Sequence, residues 1–272
     1  MKGMTPIPYA RQAAELMLYP EKYIPDYSST EFSFWARLTH FENRYWSIDQ
    51  LLEGLPIKNI LELSSGFSFR GLNAVKQRDV YYIDTDLPDL ISTKTNFITT
   101  LQQGDFEAKG KLETFPLNAL DEEQFMNLVN RFPPGEIAIV NEGLLMYLGQ
   151  EEKEKLFSII HKVLKERGGY WITADIYVKK LSDPANLIIK DDKLQQFFID
   201  HRIEENKFDS FEAAEVMLRK AGFVVDKAAV TDYEKSMGIA YLFKNATLEQ
   251  IAEGRKAGKV NATWRLKIAG EY

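Results

Sequence analysis

Short apolar runs that stop at small or acidic residues, each followed by a stretch with helical spacing, recur through most of this 272-residue chain. The pattern starts at residue 59. NILEL ends in Ser-Ser-Gly, and FRGLNAVKQR after it can form a helix. DVYYIDTD ends in acids, and DLISTKTNFITTLQQ suits a helix after Pro88. KLETFPLNAL precedes DEEQFMNLVNRF, and PPGEIAIVNE precedes EEKEKLFSIIHKVLKERGG. In the last of these, Leu156, Phe157, Ile160, Val163 and Leu164 share one face, acids open the helix and Gly168 closes it. YWITADIY is a fifth strand. DSFEAAEVMLRKAGFVVDKAAV reads as a helix with a capping-box start at Asp209 and Glu212, a stop at Gly222 and a sixth strand. TWRLKIA is a seventh candidate. Strands that alternate with helices predict an α/β fold whose mostly parallel sheet is covered on both faces.

Two regions depart from the alternation. Residues 1–58 carry helical spacing, many aromatics and Pro20, Pro25 and Pro56, and read as a helical N-terminal extension or lid ahead of a main domain at 59–272. The segment 177–208 is longer than an ordinary connection and reads as a lid or substrate-shaping insert. Hydrophobic residues make up 45% of the chain, enough for a sizeable core. The formal net charge is -6 and no block of Lys or Arg forms a basic stripe, so nucleic acid is not an expected partner. With no cysteine and three widely spaced histidines, a thiolate nucleophile is excluded and a built-in metal site is not expected. Nothing resembles a signal core or a membrane span, so a cytoplasmic protein without membrane association is expected.

Parallel sheets bind ligands beyond the carboxyl ends of their strands. Those ends hold Ser64, Ser65 and Gly66, then Asp84, Thr85 and Asp86, then Asn118 and Ala119, then Asn141, Glu142 and Gly143, and finally Asp175. Small residues let a ligand approach the backbone, whose N–H groups can hold an anion. A carboxylate at the end of the second strand can accept from both hydroxyls of a ribose. The G-x-G-x-x-G loop of dinucleotide sites is absent, because the chain reads Ser-Ser-Gly-Phe-Ser-Phe. Such a loop suits a nucleoside cofactor without phosphates, such as S-adenosylmethionine. Each residue also has a plainer role open to it: turn chemistry for Asp84 and Asp86, helix capping for Glu142, surface ion pairs for Arg37 and Arg44, and core packing for Tyr147 and the N-terminal aromatics.

Four stretches in order, covering roughly residues 30–170, resemble the leucine carboxyl methyltransferase-like family of S-adenosylmethionine-dependent O-methyltransferases. They are FWARLTHFENRYWSIDQLL, NILELSSGFSFRGL, VYYIDTDLPDLISTK and NEGLLMYLGQEEKEKL. The resemblance implies a Rossmann-like class I methyltransferase fold with a seven-stranded sheet. It implies that Arg37, or Arg44, pairs with the methionine carboxylate of S-adenosyl-L-methionine, that Ser64 and Gly66 contact that end, and that Asp84 or Asp86 holds the ribose. Asn118 and Ala119 would border the adenine and Glu142 would lie near the amino group. Ser64 stands where the family has Gly, Ser68 where it commonly has Asp, and Asn118-Ala119 where it often has Asp-Leu. The acceptor would be a carboxylate or hydroxyl of a small molecule or a peptide C-terminus. For a hydroxyl, Tyr147, Asp175, Tyr177 and His201 are candidate bases by position. A nicotinamide-dependent oxidoreductase and a non-catalytic binding protein of the same fold are the rival readings.

Overall fold

The structure, a computed structural model, describes residues 1–179 and 192–270. Residues 180–191 of the insert expected at 177–208 therefore lie outside the described residues. The strands are β1 (Asn59–Leu63), β2 (Tyr81–Asp86), β3 (Lys111–Pro116), β4 (Ile137–Asn141), β5 (Gly169–Tyr177), β6 (Phe223–Ala228) and β7 (Asn261–Ile268). The helices are α1 (Ala10–Leu18), α2 (Phe32–Leu52), α3 (Arg70–Gln77), α4 (Pro88–Leu101), α5 (Glu122–Val129), α6 (Gln150–Arg167), α7 (Asp192–Asp200), α8 (Ile203–Asn206), α9 (Phe211–Lys220), α10 (Gly238–Asn245) and α11 (Leu248–Ala257).

All seven strands form one sheet in the order β3-β2-β1-β4-β5-β7-β6. The first five run parallel, with Leu61 of β1 opposite both Ile83 and Ile139. β7 runs antiparallel to both β5 and β6, with Leu266 opposite Trp171 and Val225. β1 and β4 are buried along their whole length, which is why they read as unbroken apolar runs rather than alternating ones. The order reverses between β1 and β4, so a crevice opens at the carboxyl ends of these central strands.

Helices cover both faces. On one, α5, α6 and α9 contribute Phe125, Leu156, Phe157, Ile160, Val163 and Leu218 to the core. On the other, Ile48, Leu51 and Leu52 of α2 pack with Ala74 and Val75 of α3 against Ile60, Tyr82, Val140 and Ile172. α2 therefore shares a core with the sheet, although it precedes residue 58. It is also tied to distant sequence: Trp35 stacks on Tyr241 with centroids 4.2 Å apart, and the Ser236 hydroxyl and Gly238 N–H donate to Glu42. α1 lies outside this layer, where Ala13 meets Phe69, Leu72 and Ile98. The α9 cap differs by one residue from the expected one: Ser210, not Asp209, accepts from the Ala213 N–H. Among the described residues, no helix is long and apolar enough to cross a membrane.

Candidate functional site

The loop after β1 is built on two left-handed residues, Ser64 (φ +48°) and Gly66 (φ +50°). The Ser65 N–H donates to the Thr85 carbonyl at 2.8 Å, and the Gly66 N–H donates to Asp86 Oδ2 at 2.8 Å. The carboxylate that ends β2 thus holds the turn that ends β1. Gly66 adopts its conformation without a Cβ penalty, whereas Ser64 does not. Ser64→Gly is expected to raise the free energy of unfolding by about 1 kcal/mol, read from urea titration. A lower stability for the variant would show that the serine side chain supports the loop.

A cavity of about 520 Å³ lies over this loop. Ser64, Ser65 and Gly66 form its floor, and Asp86, Leu87 and Leu90 one wall. Leu117, Asn118, Ala119 and Leu120 continue that wall, and Glu142, Met146 and Tyr147 close the other side with Phe41 and Arg44 from α2. The cavity therefore gathers Ser64, Gly66, Asp86, Asn118, Ala119, Glu142 and Tyr147, and of the two arginines it gathers Arg44. Arg44 Nη2 lies 3.7 Å from Glu142 and 3.6 Å from Asp175.

Five candidates do not line this cavity. Arg37 is half-buried on α2, and its Nε has no hydrogen-bond partner among the described residues. Asp84 lies two residues below the end of β2, fully buried, 2.8 Å from the Lys94 ammonium, which also donates to Ser65 Oγ at 2.8 Å. Lys94 thus fills the space between Asp84 and the loop and leaves Asp84 no route to a ribose. Asp175 is buried beneath the turn after β4. One of its oxygens accepts from the Gly143 N–H, and the other from Asn141 Nδ2 and the N–H groups of Leu144 and Leu145. That turn owes its shape to Asp175. Tyr177 is hydrogen-bonded to His40 Nε2 at 2.8 Å. Burial and the neighbouring Arg44 push His40 down to about 3, and burial raises Tyr177, so neutral His40 accepts from the phenol. His201 packs its ring on Phe197 and near Tyr147, with centroids 4.1 Å and 5.8 Å away.

The residue that joins these parts is Arg70, at the start of α3. Its guanidinium donates to Asp49 (2.8 Å), Glu62 (2.5 Å), Glu142 (3.1 Å) and the Tyr45 carbonyl (3.4 Å), and lies 4.3 Å from the Tyr45 ring centroid. Glu62 also accepts from the Tyr82 hydroxyl at 2.6 Å. Burial pushes the Glu62 carboxyl up to about 7 against the pull of Arg70, and burial likewise raises Asp49 and Asp84. Neither Arg70 nor Lys94 is among the site residues expected from the sequence, although both stand in stretches that carry the family resemblance, Arg70 in NILELSSGFSFRGL and Lys94 at the end of VYYIDTDLPDLISTK. Among the described residues, the cavity lining carries three acids, Glu62, Asp86 and Glu142, against one cation, Arg44. This surplus fits a cationic ligand. Among the described residues, no cluster of His, Asp or Glu could hold a metal ion.

No family model matches the sequence, and no curated protein matches it. Solved structures do. Magnesium protoporphyrin IX methyltransferase from Synechocystis PCC 6803, with bound SAH, superposes at TM-score 0.50 with 8% identity, over 95% of each chain. Geranyl diphosphate C-methyltransferase from Streptomyces coelicolor A3(2), in complex with Mg2+, geranyl diphosphate and S-adenosyl-L-homocysteine, superposes at 0.52 with 13% identity, over 84% of this chain and 79% of that one. A DUF574 family protein from Streptomyces avermitilis superposes at 0.51 with 10% identity, over 86% and 83%. The chain spans only 46% of LepI, which it matches over 81% of its own length at TM-score 0.48 and 11% identity. Strand order, the single reversed β7 and the helices on both faces establish that the chain has the Rossmann-like class I methyltransferase fold.

Proposed function

We propose that this chain is an S-adenosylmethionine-dependent O-methyltransferase, similar to the leucine carboxyl methyltransferase-like enzymes, acting in the cytoplasm on a small molecule or peptide. The observation that carries this reading is the cavity: a Gly66 loop flanked by the carboxylates of Asp86 and Glu142, with acids in excess around it. The neighbours of the same fold that are described as methyltransferases support it, as do the Asp86-Leu87-Pro88 and Glu142-Gly143-Leu144 stretches.

When bound, S-adenosylmethionine supplies a methyl group activated by a sulfonium. The protein's residues bind, orient and exclude water. Asp86 spends one lone pair of Oδ2 on Gly66 and one of Oδ1 on the Leu87 N–H, which leaves acceptor capacity for ribose hydroxyls. Leu87, Leu90, Leu117 and Leu120 form an apolar slot for an adenine, bordered by Asn118 and Ala119. Arg44 would hold the carboxylate of the methionine end and Glu142 its ammonium, with Ser64 and Gly66 beside them. Phe41 and Tyr147 would shield the methyl group from water, so that alignment supplies most of the acceleration. A carboxylate acceptor needs no base; for a hydroxyl, Tyr147 is the candidate on the cavity wall. Asp175 acts here through the turn and Arg44 that it positions.

The test is thermal shift and calorimetry with S-adenosylhomocysteine. Wild-type protein is expected to gain stability with ligand, and Asp86→Ala to bind about 100-fold more weakly, because two hydrogen bonds to a charged acceptor are lost. No shift at millimolar ligand would refute the reading, and tight NADH binding in its place would favour the oxidoreductase.

A further inference from the structure

The turn after β4 carries a glycine directly against the arginine of the cavity. Gly143 has φ +83°, and a Cβ built on it would stand 3.0 Å from Arg44 Nη2. We infer that Gly143 is a positioning residue for the cofactor: its missing side chain lets the Arg44 guanidinium lie over the turn. This gives the site its preference for ligands that keep the amino-acid end of S-adenosylmethionine over plain thioadenosines. The inference rests on the methyltransferase reading and deepens it.

Three observations carry it. First, backbone conformation does not by itself account for the glycine. A positive φ is within reach of asparagine as well as glycine, but any residue with a Cβ would also crowd the guanidinium. Ordinary contacts begin near 3.4 Å, so Nη2 would have to move by about 0.4 Å or more. Second, such a move would change the site. The Arg44 side chain is 8% exposed and stands between Glu142 (3.7 Å), Asp175 (3.6 Å) and the Tyr177 ring, whose centroid is 5.9 Å from Cζ. The oxygen of Asp175 that it faces is Oδ1, which also accepts from the Gly143 N–H at 2.7 Å. Turn and guanidinium are thus held to one atom, and a shift of either alters their spacing. Third, the chemistry here suits an amino-acid end. Both ion-pair separations exceed the roughly 2.7–3.2 Å of a hydrogen bond, so neither carboxylate saturates Nη2. An α-amino acid carries its carboxylate and ammonium on one carbon, and Arg44 and Glu142 set a cation and an anion side by side to meet them. Charge-assisted hydrogen bonds of this kind are short, and a displacement of a few tenths of an ångström weakens them.

The test is calorimetric titration of the full chain with S-adenosylhomocysteine and with 5′-methylthioadenosine, which keeps the adenosine and the sulfur but lacks the amino-acid end. Wild-type protein is expected to bind S-adenosylhomocysteine about 100-fold tighter than methylthioadenosine. Gly143→Ala is expected to cut that preference about tenfold through S-adenosylhomocysteine alone, with methylthioadenosine affinity within about twofold of wild type. Gly143→Asn, which tolerates the left-handed backbone yet keeps a Cβ, is expected to lose the preference too, and decides the question if the alanine variant does not fold. In an Arg44→Gln background no guanidinium remains to be displaced, so Gly143→Ala is expected to leave the preference of that background unchanged. A purely structural glycine would instead lower both affinities together. A wild type that binds both ligands alike, equal weakening of the two in Gly143→Ala, an unchanged preference in Gly143→Ala or Gly143→Asn, or a tenfold loss that persists in the Arg44→Gln background would each overturn the inference. A wild-type chain that binds neither ligand would strike the methyltransferase reading itself, and this inference with it.

Discussion

Arg70→Met is expected to lower the free energy of unfolding by about 3–5 kcal/mol at pH 8, the range for removing one partner of a buried ion pair. The guanidinium is 3% exposed and serves Asp49, Glu62 and Glu142 at once, so its loss strands three carboxylates rather than one. Methionine preserves most of the stem's volume, so charge rather than a cavity dominates the effect. The loss should shrink on acidification. Burial already raises Glu62 above its ordinary 4.5 to about 7, so its contribution to stability is fully present below 4.5 and is lost as pH rises through 7. Without Arg70 the folded-state value climbs further, and the gap between variant and wild type widens from pH 5 to pH 8. Urea titrations at those two pH values measure it. A gap that is equal at both, or larger at pH 5, would mean that lost packing, not stranded charge, accounts for the damage.

Asp175→Asn should cost about 3 kcal/mol of stability and weaken S-adenosylhomocysteine as well. Both aspartate oxygens accept from N–H groups, so either orientation of the amide sets its NH₂ against at least one donor in a fully buried place. The turn at Gly143–Leu145 and Arg44, which lies 3.6 Å from the carboxylate, are the parts displaced. A proton-abstracting Asp175 would give the opposite signature: wild-type melting and ligand affinity with turnover abolished. Melting curves and calorimetry on one variant therefore separate a positioning role from a catalytic one.

The sheet was legible because buried parallel strands read as unbroken apolar runs, and the cavity was legible because the fold places its ligands at their ends. Ser64, Gly66, Asp86, Asn118, Ala119 and Glu142 meet there for that reason. Asp84 and Asp86 are two residues apart on one strand and look alike in sequence. Lys94, ten residues after Asp84 on α4, pairs with one of them in the interior and leaves the other at the rim. Arg37 and Arg44 are likewise two turns apart on nearly the same face of α2, and which of them stands level with Glu142 depends on where α2 crosses the sheet. The reversal of β7 left no mark in its own composition, since strand direction belongs to neighbours and not to residues. The same holds for Ser210, which caps α9 where Asp209 was the equally plausible candidate beside it.

β6 touches the rest of the sheet only through β7, the strand that follows it in the chain. Order of synthesis and order of assembly therefore differ at this edge: Phe223–Ala228 leaves the ribosome before the strand it must pair with exists. Until Asn261–Ile268 threads in beside β5, the outer flank of β5 stays an open template, and the nascent chain carries an exposed edge of the kind that recruits chaperones or other copies of itself.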